Sequence, residues 1–291
     1  MLSISFIVTY YKKSAPILKE CLNSIVANMA DGDEIILVDD NSKDGVCKHI
    51  QSSFKSLKVS ILLENMGPGE ARNIGLQLAH GDLIQFVDGD DKLAPGRSSI
   101  LRPYLIKNPE LPFISSAYHT FADSVSFSNQ TLFPNKSWKE TPTKDIPYLP
   151  WAGIYRASYL KELGPFKNYR RWMDLEFHSR IIRTTPYAFH LGEPLYGYRV
   201  DVPNQVSSIQ IDRNHQAFLS FQDAYHNLPR ATAKEWLYPL STTLARQSQW
   251  LKPSGKKWKA MIFAALLAPD LFRKSKWLAF ALITFPIHRE L

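Results

Sequence analysis

The sequence predicts an α/β protein: a mainly parallel sheet covered by helices on both faces, followed by a helical C-terminal extension. Three observations predict it. From Ser3 to Asp88, short runs of β-branched and aromatic residues alternate with segments whose apolar positions recur at helical spacing. No hairpin turn separates those runs, so consecutive strands need crossover helices and lie parallel. Helical periodicity returns from about His215 onward, in a stretch with excess positive charge.

Ser3 to Thr9 reads as a buried strand, and Ser14 offers an N-cap to a helix with Ile17, Leu18, Cys21, Leu22, Ile25, Val26 and Met29 on its apolar side. Glu34 to Val38 is a second strand, ended by Asp39-Asp40-Asn41-Ser42, and a helix from about Asp44 to Phe54 follows. Val59 to Leu63 supplies a third strand. Gly69 to His80 is helical and closed by Gly81, and Asp82 to Val87 makes a fourth strand that stops at Asp88. Beyond Leu101, Pro103, Pro109, Pro112, Pro134, Pro142, Pro147 and Pro150 break the pattern, and this half reads as an extension of the same sheet. Another helix is expected around Trp172 to Ile182. The expected organisation is therefore two halves of one domain, 1–100 and 101–212, and a basic helical extension, 213–291.

Composition excludes several classes. With 291 residues and 45% hydrophobic content the chain buries a sizeable core and is not a disordered protein. Cys21 and Cys47 are the only cysteines, too few for a disulfide framework or a four-cysteine zinc site, and they favour a reducing cytoplasm. Met1-Leu2-Ser3-Ile4-Ser5 carries no basic leader, which argues against a signal peptide. The net charge of +8 belongs to the tail: Arg230 to Leu291 holds eleven Lys or Arg against Glu235, Asp270 and Glu290.

Ligands of open α/β sheets bind beyond the carboxyl ends of the strands. That directs attention to Thr9-Tyr10-Tyr11, Asp39-Asp40 and Asp88-Gly89-Asp90-Asp91. Three carboxylates within four residues repel one another unless a cation or solvent neutralises them, and their oxygens suit Mg²⁺ or Mn²⁺ carrying a diphosphate. A solvated acidic turn is the competing reading. An acid after strand two suits a dinucleotide fold, but Tyr10-Tyr11-Lys12-Lys13 stands where that fold needs a glycine-rich turn, and there is no Gly-Lys-Ser/Thr phosphate loop.

Four segments in order resemble glycosyltransferase family 2: Ser5 to Tyr11, Val38 to Asp44, Asn65 to Gly75 and Phe86 to Asp91. The resemblance implies a GT-A fold and an inverting transfer of one sugar from a nucleoside diphosphate donor, a UDP sugar, to a hydroxyl of a glycan or lipid-linked acceptor in bacterial surface polysaccharide synthesis. It implies that Thr9 and Tyr10 or Tyr11 flank the nucleobase, that Asp39 accepts a base N–H, and that Arg72 faces the diphosphate. A surface ion pair is the alternative for Arg72. Asp88 is implied to contact the ribose or metal and Asp90 to ligate a divalent ion, Mn²⁺ or Mg²⁺.

The family's catalytic base is an acid preceding a helix, and Asp174 takes its position in Arg171-Trp172-Met173-Asp174-Leu175-Glu176. Met173 replaces the usual leading Glu, which leaves Glu176 as a second candidate. The two point about 200° apart on a helix, so one must lose. A helix-starting acid stabilised by the dipole is the bland reading of Asp174. Leu195 to Val200 resembles the closing strand, with Asp201 where relatives have His, and Arg199 either approaches phosphate or pairs with an acid.

Two other classes stay open: an inactive nucleotide-sugar-binding protein, kept alive by Met173, and a sugar nucleotidyltransferase, whose glycine-rich start is missing. In the tail, neither Met261 to Ala268 nor Trp277 to Ile287 is long enough to span a bilayer. Basic and aromatic residues there predict either attachment to an anionic membrane, on the inner face of the cytoplasmic membrane, or a helical pair packed on the domain or on a second subunit. Nucleic acid is not expected as a partner, since no recognised binding module accompanies the charge.

Overall fold

The computed structural model describes residues 2–54, 56–122, 138–146, 153–169, 172–200, 213–235, 237–238, 241, 255–268 and 270–283. Two compact units divide the chain: Met1–Arg170 with Thr185–Ile209, and Arg171–Thr184 with Gln210–Leu291. Residues 171–184, which lie inside the expected 101–212 half, thus group with the C-terminal helices.

In the first unit, β1 (Ile4–Tyr10), β2 (Glu34–Asp39), β3 (Leu57–Ile61) and β4 (Leu83–Asp88) are parallel, joined by α1 (Ala15–Val26), α2 (Val46–Gln51) and α3 (Pro68–Leu78). This is the βαβαβαβ order expected from the alternating pattern. Ser14 occupies the N-cap position of α1 without a side-chain capping bond. The apolar stripe of α1 is buried through Leu18, Cys21, Leu22 and Ile25. Gly75 lets α3 lie directly on β1, because a Cβ there would meet Ile7 Cγ2 at 2.2 Å.

The second half of the sheet is mixed. After β5 (Lys92–Leu93) and α4 (Arg97–Lys107) come β6 (Phe113–Phe121), β7 (Trp138–Pro142), β8 (Gly153–Arg156), α5 (Ala157–Leu163) and, beyond α6 (Met173–Thr184), β9 (Tyr187–Arg199). The strand order is β3-β2-β1-β4-β8-β6-β9-β5, with β7 on β9. β8 joins β4 and β6 antiparallel to both, while β6 and β9 run parallel. The core sits on both faces of this sheet; one large cluster contains Ile4, Phe6, Val8, Tyr10, Leu18, Leu22, Leu37 and Tyr196.

The described residues of the second unit are mainly helical. α6 packs with α7 (Arg213–Asn227) through Leu175, Ile182, Phe221 and Ala224, joined by Leu228, Ala233, Leu237 and Leu267. α8 (Gly255–Leu267) and α9 (Leu271–Ile283) meet through Met261, Ala264, Ala265 and Trp277. Much of the apolar tail is therefore helix-packing core. Among the described residues no helix is long and apolar enough to cross a membrane.

Candidate functional site

The parallel register brings the expected strand ends together: Thr9 pairs with Asp88 across β1 and β4, and Tyr10 with Asp39 across β1 and β2. Gly89 allows this close approach, since a Cβ would stand 2.9 Å from the Thr9 carbonyl oxygen, which accepts the Gly89 N–H. The turn after β4 is thereby pinned to the end of β1.

Asp88 is part-exposed and doubly held. Thr9 Oγ1 donates to its Oδ1 at 3.1 Å, and Arg72 Nη2 donates to the same oxygen at 2.7 Å. Arg72 rises from the second turn of α3, stacks its guanidinium over the Phe166 ring at 5.6 Å, and is only 4% exposed. Its Nε and Nη1 are buried with no hydrogen-bond partner. A guanidinium with one arm satisfied and two arms bare is energetically incomplete, because each buried unpaired donor costs about 1–3 kcal/mol. Buried donors of this kind can take a further charge-assisted hydrogen bond from an acceptor oxygen.

Asp90 is buried and ion-paired to Lys13 Nζ at 2.7 Å. Burial raises its carboxyl above the ordinary range; Lys13 opposes that and Asp88 adds to it. Asp91 lies deeper still, accepting the Tyr196 hydroxyl and the Arg199 N–H, each at 2.8 Å. Burial, then Asp90 and Asp88, push its carboxyl well above the usual value. Arg199 closes the frame: Nε donates to the Asp90 carbonyl at 2.7 Å, Nη2 to Glu20 at 2.6 Å, and the guanidinium stacks on Phe121 at 4.5 Å. Of its two expected roles, Arg199 takes the pairing one. Lys13, Tyr196 and Glu20 were given no role by motif, because the contacts join residues up to 179 positions apart.

At the end of β2, Asp39 is 3% exposed and accepts the Ser42 N–H at 2.8 Å. Burial pushes the Cys47 thiol far above its ordinary range, and Asp39 adds to that. Asp40 does different work: its carboxylate takes the N–H groups of Met66 at 2.7 Å and Gly67 at 2.9 Å, and the Asn65 amide at 2.8 Å. It thereby sets the loop that launches α3 and hence Arg72. The family resemblance singled out Asp39 and gave Asp40 no role.

Tyr10 is a correction. Its ring is 1% exposed in the core, with the hydroxyl 2.7 Å from Asp44 and 2.6 Å from the Lys13 carbonyl, so it has no free face for a base. Tyr11 is half-buried with Lys12 Nζ 5.2 Å over its ring, and Thr9 is half-buried beside Asp88.

In the helical unit, Asp174 lies in the first turn of α6, half-buried, with one oxygen on the Leu175 N–H at 3.0 Å. Glu176 is completely buried and gripped by Arg180 through Nε at 2.9 Å and Nη2 at 3.0 Å. Asn227 approaches the same carboxylate at 3.4 Å. Glu176 is thus an ion-pair partner of Arg180.

For a divalent cation, the carboxylate oxygens of Asp88 and Asp90 are the right donor type, and one oxygen of each already holds a cationic group. Among the described residues, no three His, Cys, Asp or Glu side chains gather as a complete metal site. Two carboxylates are sufficient where substrate phosphates and water complete the shell, as is usual for Mg²⁺. The residues fit such an ion on those terms.

A parallel sheet with these acidic strand ends, continued through an antiparallel β8, is the frame of a GT-A glycosyltransferase. The chain belongs to glycosyltransferase family 2: the family described as Glycosyl transferase family 2 matches residues 5–183. It is 27% identical over 204 residues to an uncharacterized glycosyltransferase of Haemophilus influenzae, covering 66% of each chain. It is 35% identical over 174 residues to the poly(ribitol-phosphate) beta-glucosyltransferase of Bacillus spizizenii, covering 55% of this chain but 26% of that enzyme. The match thus spans less than two thirds of either relative's length. The fold is similar to that of S. aureus TarS 1-349 in complex with UDP-GlcNAc, with a TM-score of 0.74 at 19% identity, covering 98% of this chain and 89% of that one.

Proposed function

We propose that this glycosyltransferase moves one sugar from a UDP-sugar donor to a hydroxyl of a glycan or lipid-linked acceptor, with inversion, in bacterial surface polysaccharide synthesis. The observation that carries the donor assignment is Arg72, whose buried Nε and Nη1 lack partners beside the acidic end of β4. A diphosphate supplies the acceptor oxygens that this guanidinium lacks, and charge-assisted bonds of this kind are the strong ones. Tyr11 offers the aromatic face to the nucleobase, with Thr9 beside it. Asp39 accepts the base N–H with lone pairs left after Ser42, since a carboxylate has about four acceptor sites.

Asp88 and Asp90 would hold a divalent ion, which when bound neutralises the leaving diphosphate. Lys13 and Arg72 orient the two carboxylates, each through one oxygen. Asp174 is the proposed base, drawing the proton from the acceptor hydroxyl; the resemblance supports it, and so does the commitment of Glu176 to Arg180. The relatives' printed activities, glucosyl transfer to poly(ribitol-phosphate) among them, support a polyol or glycan acceptor.

The test is a donor-hydrolysis screen over UDP-, GDP- and dTDP-sugars with Mn²⁺ present. Release of UDP from one UDP-sugar is expected. Turnover confined to GDP- or dTDP-sugars would reject the nucleotide assignment.

A further inference from the structure

We infer that α9 is a membrane-docking helix that lays its outer face on an anionic lipid surface. The inference is independent of the donor and acceptor assignments. Leu271 is 83% exposed, Phe272 79% and Leu278 45%, an unusual degree for three large apolar side chains on one helix. Ser275 and Ala279 are exposed as well. At about 100° per residue these five positions fall within an arc of roughly 120°. Trp277 lies on the opposite side and packs against Met261, Ala264 and Ala265 of α8, so the helix is anchored by one face and bare on the other.

Charge identifies the occupant. Lys274 and Lys276 fall about 40° beyond the two edges of the apolar arc, where long side chains can bury their stems and keep their ammonium groups at a phosphate level. α9 contains no acid. The preceding Asp270 is occupied as a cap, taking the Arg273 N–H at 2.7 Å and its Nε at 3.3 Å. The whole stretch from Arg230 onward has eleven basic residues against three acids. A second copy docking face to face would bring like charges together across the symmetry axis, whereas an anionic bilayer complements them. An apolar stripe bordered by lysines is the pattern of a helix lying in the interface plane.

The test uses the full chain with vesicles of phosphatidylglycerol and phosphatidylcholine, against pure phosphatidylcholine, in a sedimentation assay. Binding to the anionic vesicles is expected, with partial release at high salt because only the charged part is screened. Leu271→Ser with Phe272→Ser should weaken partitioning at least about tenfold. Lys274→Gln with Lys276→Gln should weaken it severalfold at low salt and leave the residual high-salt binding unchanged. Light scattering reports the oligomeric state in parallel. Should the apolar pair precipitate, the lysine pair decides alone. Wild-type protein that ignores anionic vesicles, binds both vesicle types equally, or is unaffected by the lysine changes overturns the inference. A dimer that dissociates on the apolar changes, without vesicle binding, assigns the face to a second copy instead.

Discussion

Arg72 Nη2 stands 2.7 Å from Asp88 Oδ1, and that one bond fixes a guanidinium whose other two nitrogens remain buried and unbonded. The pair ties the start of α3 to the end of β4. Asp88 thus aims Arg72.

Lys13 acts as an internal cation for Asp90, and both side chains are 10% exposed. Lys13→Met should lower the melting temperature, because breaking a buried pair leaves a charge uncompensated, at a cost of roughly 3–5 kcal/mol. A divalent ion replaces that missing charge. Mn²⁺ should therefore raise the melting temperature of the variant more than that of the wild type; equal shifts in the two proteins would place the ion elsewhere.

The two carboxylates of α6 should separate cleanly. Asp174→Asn should fold normally, keep donor affinity and lose about 10²-fold or more in transfer rate. Glu176→Gln should cost roughly 3 kcal/mol of stability by stranding Arg180, with little change in rate per folded molecule. Urea unfolding beside steady-state kinetics distinguishes them, and a stable but inactive Glu176→Gln protein would exchange the roles.

The neighbouring tyrosines should part in the same way. Tyr11→Ala is expected to weaken nucleotide binding by roughly tenfold with little loss of stability. Tyr10→Phe removes the hydroxyl near Asp44 and the Lys13 carbonyl, and should cost about 1–3 kcal/mol while nucleotide affinity holds. Nucleotide titration with thermal melting checks both.

His190 on β9 is bonded to Ser115 at 2.8 Å, and burial lowers its pKa below the ordinary value. A histidine with a depressed folded-state pKa binds its proton more readily when unfolded. Stability should accordingly fall as pH drops through about 6.5, the unfolded value, until the folded-state value is passed. Melting curves between pH 8 and pH 5 should show this slope, with His190→Gln shallower; an unchanged slope would assign the dependence to other groups.

Much of this was legible in local pattern. β1 to β4 and their converging ends follow from alternation and from where each apolar run stops at an acid. The burial of Tyr10 was legible too, since Ile4, Phe6, Val8 and Tyr10 share one face of a strand at period two and all enter the same core cluster. The antiparallel insertion of β8 between β4 and β6 was not, because that pairing is non-local and the surrounding prolines erase periodicity. Nor was the work of Asp40 legible, as it depends on a loop that folds back from Asn65 to Gly67. The pairing of Glu176 with Arg180, one helical turn beyond it, was not legible either, since only the packed structure shows both side chains buried together.

The most direct test of the account is calorimetric titration of UDP and of uridine into the wild type and into Arg72→Met, with Mg²⁺ present. If the bare nitrogens of Arg72 receive the diphosphate, the variant should lose at least about tenfold in affinity for UDP, as expected for lost charge-assisted bonds, and bind uridine as the wild type does. Equal losses for both ligands would mean that Arg72 only supports the fold, and an unchanged UDP affinity would contradict the assignment of this crevice to a nucleoside diphosphate.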